Sequence, residues 1–362
     1  MSAVVDPSEG KAWDAFVQAS DPGSYLQLGA WADVKRRNGW TARQVLAAAP
    51  GGPIGAQILI RQPRPMPWAF AYAPRGPITA NWRPDAIRPF TVAARDVLRQ
   101  AGRISHLRID PEVEIDGPFD RDGSLREALR VAGWHPSPAI QPSSTRLIDL
   151  RADEDALWSD LHKKWRQYVN RARTLGVTIE DADESALGDF YRIYADTATR
   201  AGFRIRTEAT YRDIWAAFAP LGLVRLLVAR LPDGQPAATL FLHACGDRVV
   251  EAYGGMTAAG AESRANYLIK WEAIRSSRER GARVYDLWGL PNRGIEHFKA
   301  GFGGREVRYI GAWDLVLDGF GRAAFRLAQQ LRDFRVGRGH TRRRPKSGSG
   351  SMAGSGDAEG GG

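Results

Sequence analysis

The chain holds one cysteine in 362 residues, Cys245, which excludes an intramolecular disulfide and every metal site built on several thiolates. It lacks any run of about 18 apolar residues, so no segment reads as a membrane-spanning helix. The start carries Asp6 and Glu9 where a secretory signal needs an unbroken apolar stretch, so export is not expected. Six histidines are scattered, none in a His-Glu-x-x-His or comparable ligand spacing, and no metal site is expected. A Gly-x-Ser-x-Gly elbow, a Walker loop and a dinucleotide Gly-x-Gly-x-x-Gly are all missing. The composition that remains, 43% hydrophobic and 25% charged, is that of a globular protein. Its length exceeds what one hydrophobic core usually serves, so two domains are expected.

The formal charge of +10 is unevenly spread. Between Arg322 and Lys346 nine basic residues stand against the single acid Asp333. Such an end suits RNA phosphates or anionic lipid headgroups, and it equally suits a solubilising tail. Residues 336–362 are poor in apolar side chains and rich in Gly and Ser, and are expected to form a disordered basic tail.

Hydrophobic periodicity supplies the rest of the outline. One helical stripe is expected over 155–175, carrying Leu157, Leu161, Trp165, Tyr168, Val169 and Ala172 and ending at Gly176. Residues 223–230, 238–245 and 248–255 alternate and are separated by Pro-Asp-Gly and Gly-Asp turns, which predicts an antiparallel meander. A helix over 262–280 should follow, with Tyr267, Trp271 and Ile274 inward. The Pro-rich stretch 61–77 reads as a loop with a short extended segment.

Two internal resemblances span half the chain. Residues 100–109 resemble 280–289, and 133–150 resemble 301–317, a period far too long for a solenoid. Helix, meander, helix, strand is the order of an acetyltransferase-like (GNAT) domain, so the fold class expected is α/β with two GNAT-like domains in tandem. The first should span 1–145 and be completed by 312–335, and the second should span 146–311. No good match occurs to the Gln/Arg-x-x-Gly-x-Gly/Ala loop that holds coenzyme A in GNAT enzymes. Another acyl donor and no cofactor are therefore expected.

Ordered segments carry a family likeness: SYLQLGAWADVKRRNGW (24–40), HLRIDPEV (106–113), KKWRQYVNRARTLGV (163–177), TATRAGFRIRTEATY (197–211), EAYGG (251–255) and YDLWGLPNRGIEHFKAGFGGREVRYIGAWD (285–314). Together they resemble the FemABX aminoacyltransferases of peptidoglycan bridges. The compact FemX-like form is implied, since 211–223 has no room for a coiled-coil arm. The resemblance implies transfer of an amino acid from an aminoacyl-tRNA to the stem-peptide amine of a nucleotide- or lipid-linked peptidoglycan precursor. It also implies a cytoplasmic monomer, and the basic end adds the option of contact with the inner face of the membrane.

By the same resemblance, Lys35 and Arg206 correspond to the cations on the acceptor's diphosphate, with Arg204 a rival to Arg206. A guanidinium binds phosphate oxygens as a fork and an ammonium as a point charge. Tyr211 and Tyr253 correspond to substrate-contacting tyrosines, though core packing is an equal reading of Tyr253. Asp110, before Pro111, is a candidate for orienting the acceptor ammonium, or a turn cap. Lys299 is a candidate for stabilising the oxyanion of the attacked ester, or for holding tRNA phosphate. Phe298 is a candidate for stacking on a terminal base, with Gly301, Gly303 and Gly304 read as allowing close approach of a ligand. The basic stretch 162–173 fits tRNA phosphate or a solvated helix face. Two other functions suit the outline: an acyl-coenzyme A or exopolysaccharide-associated N-acyltransferase, and a non-catalytic RNA-binding protein.

Overall fold

The computed structural model describes residues 3–4, 10–328 and 330. The expected tail, 336–362, lies outside them. The chain divides into two units, Met1–Asp318 and Gly319–Gly362. Within the second, residues 319–328 are helical.

In the first unit, alternating apolar stretches become strands. β1 (Ala3–Val4), β2 (Thr41–Ala47), β3 (Ile54–Arg61), β4 (Ala69–Ala73), β5 (Ile78–Thr79), β6 (Ile104–Ile109) and β7 (Trp134–Ser137) enter one sheet. β8 (Ser144–Asp149), β9 (Thr178–Ala182), β10 (Val224–Arg230), β11 (Pro236–Cys245), β12 (Arg248–Met256), β13 (Val284–Asp286) and β14 (Arg305–Arg308) build a second. β15 (Ala312–Val316) returns to the first.

The two sheets match position by position. The first runs β1-β2-β3-β4-β6-β15-β7, with β5 on β3, and the second runs β9-β10-β11-β12-β13-β8-β14. Each has a meander, then one parallel pair: β4 with β6 (Ala73 opposite Ile109) and β12 with β13 (Val250 opposite Asp286). Each then takes its next strand from a crossover, since β8 follows β7 out of the first sheet and β15 follows β14 back into it. The internal resemblances fall on these equivalents: β6 with β13, and β7–β8 with β14–β15. The fold is a tandem of GNAT-like halves.

Eleven α-helices accompany the strands among the described residues of the first unit. They are α1 (Gly10–Ala19), α2 (Gly29–Arg36), α3 (Ile87–Gln100), α4 (Ser124–Val131), α5 (Glu154–Asp160) and α6 (Lys163–Thr174). Then follow α7 (Leu187–Ala201), α8 (Glu208–Phe218), α9 (Ala258–Glu262), α10 (Ala265–Glu279) and α11 (Arg293–Ala300). The single helix expected over 155–175 is two. Leu161 and His162 are extended, and the His162 amide donates to the Gly301 carbonyl (3.0 Å) instead of continuing the helix. Leu161, Trp165, Val169 and Ala172 are buried as the periodicity required, while Tyr168 is half-buried.

Candidate active site

A cationic cluster forms where α2 meets the segment before α8. The i, i+4 spacing on α2 sets Lys35 Nζ over the Trp31 ring, 4.9 Å from its centroid, and Trp40 lies 5.8 Å away. Arg206 lies over the other part of this cluster, 5.3 Å from Trp31. Burial, then the charges of Arg206 and Arg61, push the Lys35 ammonium down to about 8. Among the described residues no carboxylate pairs with Lys35, Arg61 or Arg206. Unneutralised like charges packed on indoles are the arrangement an anion completes.

The two tyrosines serve Arg206. Tyr253 is half-buried, and its hydroxyl accepts from Arg206 Nη1 (2.9 Å). Tyr211 is fully buried against Phe190 and Tyr253, and its hydroxyl accepts from the Arg206 amide (3.3 Å). Its contacts are those of a core residue that sets the Arg206 backbone. Arg204 is exposed.

Lys299 lies on α11, which Asn292 caps through the Ile295 amide (3.0 Å). Its ammonium donates to the carbonyls of Trp288 (2.5 Å) and Gly289 (2.8 Å), which leaves one of three N–H bonds for another acceptor. Burial pushes its pKa down to about 8, helped by the like charge of Lys270 and opposed by Glu251 and Asp286. Lys270, an ammonium buried within α10, is paired with Glu251, which also accepts from the Tyr285 hydroxyl (3.0 Å). Lys270 lies 5.5 Å from the Phe298 ring and 5.7 Å from Phe302. Phe298 is half-buried among Tyr267, Phe302 and Trp165, and its carbonyl accepts from Trp165 Nε1 (3.0 Å).

The glycines after Phe298 need a different explanation from the one expected. A side chain at Gly301 would collide with the Trp165 ring, at Gly303 with the Asp160 carboxylate, and at Gly304 with the β8 backbone. Gly304 donates its amide to Asp160 (2.8 Å), and both Gly303 and Gly304 have positive φ (83° and 69°). The close approach these glycines allow is made by the protein itself.

Asp110 follows β6 and is buried. One oxygen accepts from the Arg75 amide (2.7 Å), and the other from the Tyr72 hydroxyl (2.7 Å) and the Gln141 amide (3.3 Å). Burial raises its pKa against the pull of Arg75 and these bonds. Three of the roughly four acceptor positions of this carboxylate are thus taken up by the corner after β4 and by the Gln141 amide.

That corner joins two of the three expected catalytic residues, Asp110 and Lys299. Arg75 is buried at φ 55°, with its guanidinium 5.0 Å from both the Trp288 and Tyr309 rings and 3.3 Å from Glu112. Glu112 also pairs with Arg248 (3.0 Å), and Arg248 with Asp286. Trp288 is itself at φ 55°, held by its amide on Asp286 (2.7 Å), and its carbonyl accepts Lys299. A chain of contacts thus runs Asp110–Arg75–Trp288–Lys299. Positive φ at residues as bulky as Arg and Trp is strained and persists where the surroundings over-determine it, often at functional sites. A polar hollow lined by Ser143, Ser144, Leu290, Glu296, Glu306 and Tyr309 opens beside this loop. Among the described residues no set of three His, Cys, Asp or Glu side chains is grouped to hold a metal.

Sequence reasoning missed Arg75, Trp288, Glu251, Lys270 and the Trp31 platform. Only Lys270 left a signal, as a charge on the inward stripe of a helix between Tyr267 and Ile274.

Comparison with known proteins agrees with this architecture. Residues 9–128 match the FemAB family, and residues 159–300 match the acetyltransferase (GNAT) domain. The Lipid II:glycine glycyltransferase of Staphylococcus aureus (strain MRSA252) is 27% identical over 230 residues, which are 62% of this chain and 54% of that protein. The chain thus spans about half the length of the curated relatives it matches. Among solved structures, the crystal structure of FemX superposes with a TM-score of 0.79 at 20% identity, covering 90% of this chain and 99% of FemX. A tandem GNAT protein from the clavulanic acid biosynthesis pathway gives 0.52 at 13%, covering 87% and 97%. Matched over residues 9–128 by the FemAB family and sharing its tandem fold with FemX, the chain is similar to the FemABX proteins.

Proposed function

We propose that this chain is an aminoacyltransferase moving an amino acid from an aminoacyl-tRNA to the stem-peptide amine of a peptidoglycan precursor. The observation that carries the reading is the carboxylate-free cluster of Lys35, Arg61 and Arg206 on Trp31 and Trp40, which suits the diphosphate of a nucleotide- or lipid-linked acceptor. The staphylococcal relative, named for a glycyl transfer involving lipid II, supports the same class of acceptor.

The chemistry follows from the site's charges. The acceptor amine sheds a proton to solvent, because only its neutral form carries the attacking lone pair. It forms a C–N bond at the ester carbonyl, leaving a tetrahedral oxyanion. Lys299, protonated near neutral pH with a pKa of about 8, directs its remaining N–H at that oxygen. Collapse breaks the bond to the ribose oxygen, which takes up the proton that the attacking nitrogen gives up, through solvent, and leaves as the free hydroxyl of the tRNA. Phe298 lies one residue from Lys299 and offers a half-buried ring to the terminal base. Asp110 acts as a positioning residue, through Arg75 and Trp288, on the carbonyls that hold Lys299.

Purified protein, mixed charged tRNA and uridine- or lipid-linked muropeptide, read by mass spectrometry, test the reading. A product heavier by one aminoacyl residue supports it. A requirement for an acyl-coenzyme A, or tRNA binding without product, overturns it.

A further inference from the structure

We infer that the second unit docks on an anionic phospholipid surface through the helix 319–328. This stands apart from the reading of the reaction, because it concerns only residues beyond Asp318. Phe320 is 85% exposed and Leu327 is 58% exposed. Seven residues separate them, about two helical turns, so both lie on one face of that helix. Scattered exposed apolar residues need no explanation, but a phenylalanine and a leucine aligned on one face are a different case.

Charge then selects the partner. Arg326 is exposed beside Leu327, and the sequence from Arg322 to Lys346 carries nine basic residues against Asp333. Arginines interleaved with an apolar stripe fit the boundary of a bilayer, where acyl chains take the stripe and anionic headgroups take the cations. RNA would also take the cations. A leucine has no flat face for a base, however, and nothing in RNA repays burying it. A lipid partner accounts for both features. Docking of this kind would raise the local concentration of any acceptor carried in the same bilayer.

The test uses the full chain, flotation with vesicles, and the variant Phe320→Glu/Leu327→Glu. Both residues are exposed, so the substitutions leave the fold intact, which circular dichroism checks. Wild type should float with phosphatidylcholine vesicles containing about a third phosphatidylglycerol, and not with phosphatidylcholine alone. The double variant should bind roughly tenfold or more weakly, while its affinity for tRNA stays unchanged. Failure of wild type to bind anionic vesicles, or wild-type binding by the double variant, overturns the inference. A double variant that loses tRNA affinity overturns it too and assigns the segment to RNA. None of these outcomes depends on product formation, so failure of the reaction reading is seen separately in the transfer assay.

Discussion

Lys299 has two of its three N–H bonds committed to backbone carbonyls, which fixes the direction of the third. Lys299→Met, similar in length and uncharged, should lower kcat by roughly 10²–10³-fold with little change in acceptor binding. A loss confined to the KM for tRNA and vanishing at saturation would instead make Lys299 a phosphate contact. The proton also matters. With a pKa near 8, Lys299 is charged below that value and loses its charge above it, so the rate due to it should fall as pH rises through about 8. Lys270 repels that charge more strongly than Glu251 attracts it. Replacing both, as Lys270→Met/Glu251→Gln, removes the pair without stranding a buried charge and should move the alkaline limb to higher pH. An unmoved limb would assign it to another group. The cationic cluster gives a prediction of the same kind. Lys35→Ala and Arg206→Ala should each weaken acceptor binding by on the order of 1.5–3 kcal/mol, measured by calorimetry, and leave tRNA affinity alone. Unchanged acceptor affinity in both would remove them from the site.

The segment between α11 and β14 shows where local pattern stops informing. Gly301, Gly303 and Gly304 read equally well as a ligand loop or as room for packing, and only the positions of Trp165 and Asp160 decide. Gly303→Ala meets both a positive φ and the Asp160 carboxylate, so it should destabilise the fold by about 1–3 kcal/mol in chemical denaturation. An alanine variant with wild-type stability and impaired substrate binding would restore the ligand-loop reading. Other elements were legible because their causes are local. The meander β10–β11–β12 follows from alternation and turn residues, and the strand β4 from a short apolar stretch between prolines. The break between α5 and α6 was not legible, because it depends on a carbonyl at Gly301, remote in sequence. The same holds for the left-handed backbones of Arg75 and Trp288, which are set by Asp110 and Asp286. Lys35 and Arg206 could be singled out by resemblance, but their shared indole, Trp31, is a fact of three dimensions.

At the scale of the whole first unit, length points to two domains, yet the halves share what each would need alone. β15 lies between β6 and β7, so residues 1–140 by themselves would leave β7 without a partner and one edge of β6 open. One apolar cluster joins Trp13, Tyr25, Leu59 and Ile78 to Phe190, Ile214, Phe218 and Phe241. The buried pair Glu112–Arg248 also crosses between the two halves. Separating the halves would break that buried pair in addition to exposing the cluster. Residues 1–318 should therefore unfold in one cooperative transition, with the calorimetric enthalpy equal to the van't Hoff value. A fragment of residues 1–140 should be insoluble or unfolded, and appending 312–318 through a short linker should not rescue it, because the shared cluster is still missing. Two resolved transitions, or a folded 1–140 fragment, would mean that the halves are independent. The chain of contacts from Asp110 to Lys299 would then need another source of rigidity.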